Sequence, residues 1–258
     1  MELNYINYIK VNELLELQLP KSDQHDEMLF IVIHQTYELW FKLLLHEFEK
    51  VRQDLQNGDL YGSITTVGRV RTVMKTLVHQ MDVIETLTPL SFASFRDRLE
   101  TASGFQSVQY RELEFLLGSK RKESLQYYVK DPVGLKRLET RLNEPSVMDG
   151  FYSFLNQHGI KVPDALLSRP HDEPQTSSPE LQEQLIRLYH ERKDIAILLE
   201  LFTDFDEGLQ EWRYRHVKLV ERTIGNKQGT GGSLGVEFLK RSLFKPVFAD
   251  LWEIRHAF

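Results

Sequence analysis

Two histidines stand out by the residues that share their helical faces. His216 lies on one side of a helix with Trp212, Leu219 and Thr223, at the i, i+4, i+7 and i+11 spacing. It is the only side chain on that face able to bind a metal. His34 is the only basic member of a second stripe, Phe30, His34, Tyr37, Phe41, Leu44, Phe48, Val51 and Leu55. Burial disfavours the charged imidazole, so His34 is expected to be neutral and to need a hydrogen-bond partner. A lone histidine on an apolar face is ordinarily a satisfied core residue. Two of them, on separate apolar helices far apart in sequence, also suit a cofactor held between helices. Downstream of His216, five of the 14 glycines (Gly225, Gly229, Gly231, Gly232, Gly235) crowd into one loop. That loop reads either as a lid over a site or as a helix stop followed by a linker. Arg96, between Phe92 and Phe95, reads either as an ordinary helix charge or as a fork for a ligand carboxylate.

Other chemistries lack their residues. No HExxH pair is present, and no close carboxylate–histidine spacing marks a zinc or non-haem iron triad. The glycine loop lacks the GxxxxGK[ST] order and follows a helix, not a strand. There is no GxSxG elbow. With no cysteine in 258 residues, disulfides, zinc–thiolate sites, Fe–S clusters and thiolate-ligated haem are excluded. A histidine-ligated haem is the cofactor that fits best. Periodicity does not choose between the two histidines as its ligand. The net charge of -6 argues against a nucleic-acid footprint. No apolar run approaches membrane-spanning length and the N-terminus has no signal-peptide core, so no membrane partner and a cytoplasmic location are expected.

The elements that must position these residues are helical. One long helix is expected from Ser22 or Asp23 to Asn57-Gly58, and a second over 63–87. Residues 91–118 read as a short helix, a break at Ser103-Gly104 and a longer helix ending at Gly118. Short helices are expected at 134–143 and 146–157, with a loop over 168–179. Residues 179–224 read as helical with breaks near Thr203 and Gly208, followed by a last short helix over 235–243. No strand pairs or internal repeats are found. The expected fold is all-α, a single domain over 1–258 built as a bundle of long antiparallel helices with the cofactor between them. Residues 1–20 form an arm whose Tyr5 and Tyr8 lie one turn apart. It is too short to bury them itself, so they pack either on their own domain or on a neighbouring subunit.

Four stretches carry a resemblance: YINYI (5–9), HDEMLFIVIHQTYELWFKLLLHE (25–47), FRDRLETASGFQSVQYRELEFLLG (95–118) and WRYRHVKLVERTIGNKQGTGGSLGV (212–236). In order and over nearly the whole chain, they resemble the compact bacterial members of the tryptophan 2,3-dioxygenase family. Residues 119–180 resemble it least.

The resemblance implies a haem b, ferrous when active, with L-tryptophan and O2 as substrates. The implied product of inserting both oxygen atoms across the indole C2–C3 bond is N-formylkynurenine, the first step of the kynurenine pathway. It makes His216 the proximal iron ligand and His34 the distal histidine that meets the indole N–H. Phe30 and Leu99 would wall the indole pocket, and Arg96 would pair with the substrate carboxylate. Thr230 would meet the ammonium and carboxylate, while Ser103 and Gly104 would lie beside the haem edge. Tyr5, Tyr8 and Ile9 would complete a neighbour's pocket in a homo-oligomer, expected to be a homotetramer. Two rivals remain: a related haem enzyme acting on another indole or a phenol, and an electron-transfer protein with both histidines on iron.

Overall fold

The computed structural model describes residues 2–225, 227, 229 and 235–258, and among them the regular structure is helical, with no strand. An N-terminal arm holds α1 (Tyr5–Ile9) and α2 (Val11–Leu15). Two long helices follow, α3 (His25–Gln56) and α4 (Leu60–Ile84). The middle of the chain forms α5 (Pro89–Arg96), α6 (Val108–Leu116), α7 (Pro132–Asn143), α8 (Val147–Gln157) and α9 (Asp164–Leu167). The last third supplies α10 (Pro179–Glu191), α11 (Lys193–Ile224), α12 (Val236–Lys240) and α13 (Ala249–Glu253).

The ends of α3 show how local chemistry sets the frame. The buried Glu27 carboxylate accepts from Lys21 N at 2.7 Å and from Ser22 N at 2.8 Å. These bonds hold 21–24 as a turn, so α3 starts at His25 and not at Ser22 or Asp23. It ends where Gly58 takes φ +69°, a left-handed conformation that a side chain would strain. Asp59 then accepts from Gly62 N at 2.9 Å and starts α4.

The short link from α3 to α4 turns the chain back on itself. Tyr37 Oη reaches Leu77 O at 3.0 Å, and Glu47 pairs with Arg69 at 2.7 Å nearer the link. Helix α11 packs along α4 and runs the same way. Arg71 meets Asp204 at 2.8 Å, and further along both helices Arg215 meets Val78 O at 3.1 Å and Asp82 at 2.6 Å. The expected all-α bundle of long antiparallel helices is borne out by α3, which runs against both partners, while α4 and α11 run parallel to each other. This is possible because the intervening helices return the chain to the starting end before α11 begins.

Helix α11 is continuous through Thr203 and Gly208, where breaks are expected from sequence. Thr203 Oγ1 bonds back to Leu199 O at 3.0 Å within the helix. A Cβ at Gly208 would sit 3.1 Å from Met74, so the glycine allows close packing on α4. The break falls instead at Arg192, whose φ of -122° leaves the helical region. Alone among the described helices, α3 is long and apolar enough to cross a membrane. Its buried stripe, from Ile33 to Leu55, is core and packs against α4, α6 and α8.

Candidate functional site

Helices α3 and α11 meet through large aromatic rings. Phe48 and Phe205 lie 4.9 Å apart, and Phe41 and Trp212 lie 6.1 Å apart, in one antiparallel register. Continued toward the start of α3 and the end of α11, that register leaves a gap between the two helices. Phe30 and His34 come from one wall, and His216, Leu219, Val220 and Thr223 from the other. The space left between them is a cavity of about 300 Å³, within the size range of small-ligand sites. The register puts His216 level with Tyr37, about 4.5 Å deeper along the axis than His34.

The remaining walls come from shorter segments. Thr88 caps α5 by accepting from Ser91 N at 3.1 Å, with Pro89 in the first turn. The helix so started brings Phe92 and Arg96 to the cavity. Phe92 and Phe95 pack with Leu29, Phe30, Leu99 and Ile224 in one apolar cluster. Ser103 opens the next turn by accepting from Phe105 N at 3.3 Å, while Gln106 Oε1 accepts from Ser103 N. Ser103, Gly104 and Phe105 border the cavity there, and a Cβ at Gly104 would meet nothing within 4 Å.

His34 Nδ1 lies 2.7 Å from Phe30 O. A carbonyl only accepts, so Nδ1 carries the proton and, in the neutral ring, Nε2 keeps a lone pair. Burial lowers the His34 pKa below the ordinary histidine value, against the opposing effects of the Phe30 carbonyl and the Glu38 charge. His34 is thus neutral at pH 7, with Nε2 as an acceptor.

Burial, with a smaller contribution from the nearby His34, pushes the His216 pKa down to about 4. Its ring lies on the cavity wall, stacked at 7° on Trp212, and neither nitrogen has a hydrogen-bond partner among the described residues. A neutral, unpartnered imidazole on a roomy apolar cavity suits a metal. The described residues contain no cluster of three or more His, Asp or Glu able to hold one. A single imidazole therefore fits a metal that brings its other ligands with it, as a porphyrin does. Phe30, Leu87, Phe92 and Val217 supply apolar lining for such a group.

Part of the cavity lining is charged. Arg111 pairs with Glu114, whose other oxygen accepts from Arg121 at 2.7 Å. Arg213 donates to Lys245 O at 2.9 Å, and the Nε atoms of Arg111 and Arg213 are buried without partners among the described residues.

The fold brings together most of the residues singled out in the sequence. Phe30, His34, Arg96, Leu99, Ser103, Gly104 and His216 all line this one cavity. Tyr5, Tyr8 and Ile9 do not. They lie on the surface, with Tyr5 and Tyr8 73% and 71% exposed, which excludes packing on their own domain. Thr230, with most of the glycine loop, lies outside the described residues. Sequence reasoning missed Tyr110, Arg111, Glu114 and Arg213 as lining residues. Their only sequence signal is a helical spacing typical of surface charges. Phe238 was missed because its helix is a single short segment.

Comparison with known proteins returns one consistent result. The family model described as "Tryptophan 2,3-dioxygenase" matches residues 1–157 and 161–258. A protein of that name from Herpetosiphon aurantiacus is 49% identical over 255 residues, covering 98% of this chain and 97% of the relative. One from Anaeromyxobacter dehalogenans is 46% identical, covering 99% and 96%. One from Bacillus thuringiensis is 40% identical, covering 98% and 92%.

Proposed function

Because this chain belongs to the tryptophan 2,3-dioxygenase family, we propose that its cavity seats haem b on His216 and L-tryptophan between that haem and His34. The reaction is the insertion of both atoms of O2 across the indole C2–C3 bond of L-tryptophan, giving N-formylkynurenine. The observation that carries the assignment of roles is the meeting of Phe30, His34, Arg96, Leu99 and His216 on one cavity. The haem, ferrous in the active state, supplies the reduced metal that O2 needs to react with a closed-shell substrate.

The chain's own residues bind and orient. Indole is uncharged, so Phe30 and Leu99 wall it without a desolvation cost. His34 Nε2 accepts a hydrogen bond from the indole N–H and fixes which edge of the ring faces the iron. Indole is a weak acid, so His34 holds that proton in place and need not remove it. Arg96 receives the carboxylate through its planar fork, a charge-assisted contact worth roughly 1.5–3 kcal/mol. Thr230 completes the binding of the zwitterionic end. Ser103 and Gly104, which border the cavity, would help to hold the haem. The exposed Tyr5, Tyr8 and Ile9 cover the pocket of another subunit, so the active form of this single-domain chain is a homo-oligomer, a homotetramer by family likeness.

The test is anaerobic reduction followed by tryptophan and O2, with N-formylkynurenine absorbance as the readout. Five-coordinate ferrous iron and product formation support the assignment. A six-coordinate low-spin ferrous spectrum would put His34 on the iron and remove it from the indole.

A further inference from the structure

We infer that Trp212 is a positioning residue that sets the plane of the His216 imidazole. The inference rests on the reading of His216 as the haem ligand.

Histidines that ligate metals usually have their orientation fixed by a hydrogen bond from the second ring nitrogen. His216 has no such bond among the described residues, and something else must stop rotation about its side-chain torsions. Trp212 lies one turn earlier on the same helix, with its ring 5.3 Å from the imidazole centroid and only 7° from parallel. This is an offset stack, the arrangement that flat π systems favour. A ring can hold another ring only if it is held itself. Trp212 is 8% exposed, and three aromatic rings surround it. Tyr110 lies at 5.3 Å, Phe41 at 6.1 Å edge-on and Tyr37 at 6.2 Å edge-on. Tyr37 is fixed in turn by its hydroxyl bond to Leu77 O at 3.0 Å. The cage therefore draws on α3, α6 and, through Tyr37, α4.

The Tyr37 hydroxyl also faces the Trp212 indole, so a polar contact adds to the ring packing that holds Trp212 in place. The plane of an axial imidazole decides which iron d orbitals it overlaps. Fixing that plane would therefore fix the electronic asymmetry of an iron held by His216.

The experiment compares wild type with Trp212→Phe, Trp212→Leu, Phe41→Leu and His216→Ala, all as haem-loaded protein. The readouts are haem content, far-UV circular dichroism and the paramagnetically shifted haem-methyl resonances of the ferric cyanide complex, whose order and spread report the imidazole plane. Trp212→Leu should retain haem and helicity while its methyl pattern moves and broadens. Trp212→Phe should largely restore the wild-type pattern. Phe41→Leu leaves the indole in place but opens its cage, and should broaden the pattern in the same sense, which keeps the test decisive if Trp212→Leu does not fold. A wild-type pattern in folded, haem-loaded Trp212→Leu, or in Phe41→Leu if Trp212→Leu does not fold, overturns the inference. Full haem retention with an unchanged spectrum in His216→Ala overturns the ligand reading beneath it.

Discussion

The Nδ1 of His34 is bonded to the carbonyl of Phe30, one turn back on the same helix, at 2.7 Å. This bond decides what the histidine can do. It consumes the ring's one proton and leaves Nε2 as an acceptor. The same contact ties His34 to the aromatic wall, since the Phe30 ring lies 4.1 Å from the imidazole centroid.

On the proposed function, an acceptor at Nε2 would orient the indole and would not be required for proton removal. His34→Ala is expected to remain active, with kcat/KM lower by about tenfold, the worth of one hydrogen bond. A methyl on the indole nitrogen would clash with Nε2 in the wild type. Turnover of 1-methyltryptophan relative to tryptophan should therefore rise in His34→Ala. Steady-state kinetics with both substrates checks this, and an unchanged ratio argues against contact.

The same bond gives a pH signature. The His34 pKa is lowered by burial, so the neutral ring persists below the ordinary histidine range. In the proposed complex, protonation would place a second N–H against the indole N–H. Tryptophan binding should hold from pH 8 to about 6.5 and weaken only below that. In linkage terms the unfolded chain takes up the proton first, so stability also falls as the pH drops through the window below about 6.5. Tryptophan titrations from pH 5 to 8 should show this acid limb in the wild type and lack it in His34→Ala.

Arg96 reaches the cavity from the end of α5. Lysine keeps the charge but loses the fork, so Arg96→Lys should weaken tryptophan binding by roughly 10- to 100-fold. Tryptamine, which has no carboxylate, should be a poor substrate for the wild type and should lose little further in the variant. Equal turnover of tryptophan and tryptamine by the wild type would remove Arg96 from this role.

The exposed arm calls for a test in trans. Deleting residues 1–9 should impair tryptophan binding more than haem binding. Mixing that chain with an intact-arm chain carrying Arg96→Ala should restore activity, because an intact arm can then complete a pocket that retains Arg96. Differently tagged chains establish that mixed oligomers form. Activity no higher than that of the separate variants would show that the arm does not act between chains.

A last prediction concerns the frame behind the cavity. Asp206, fully buried on α11, accepts from Val247 N at 3.0 Å, Phe248 N at 3.0 Å and Trp252 Nε1 at 3.1 Å. Asp206→Ala leaves three donors unmade, the two backbone ones buried, at a cost of roughly 3–5 kcal/mol. Thermal denaturation should show a lower midpoint, and limited proteolysis should cut first within residues 244–258.

Helical periods, their approximate ends and the faces carrying His34 and His216 can be read from the amino-acid order alone. These are local properties: hydrophobic spacing, caps and turn glycines act within a few residues. The motif likeness further named which of these polar residues belong to one site. Three features depend on the packing of distant segments: α4 and α11 run parallel, α11 passes unbroken through Gly208, and Trp212 stacks on His216 inside a cage of three rings. Each depends on what a face meets across the core. Arg111, Glu114 and Arg213 make the same point, since their spacing reads as a solvated surface until another helix covers them. A charge pattern states that a residue needs a polar partner, and the packing of distant segments decides whether that partner is water, a carboxylate or a ligand.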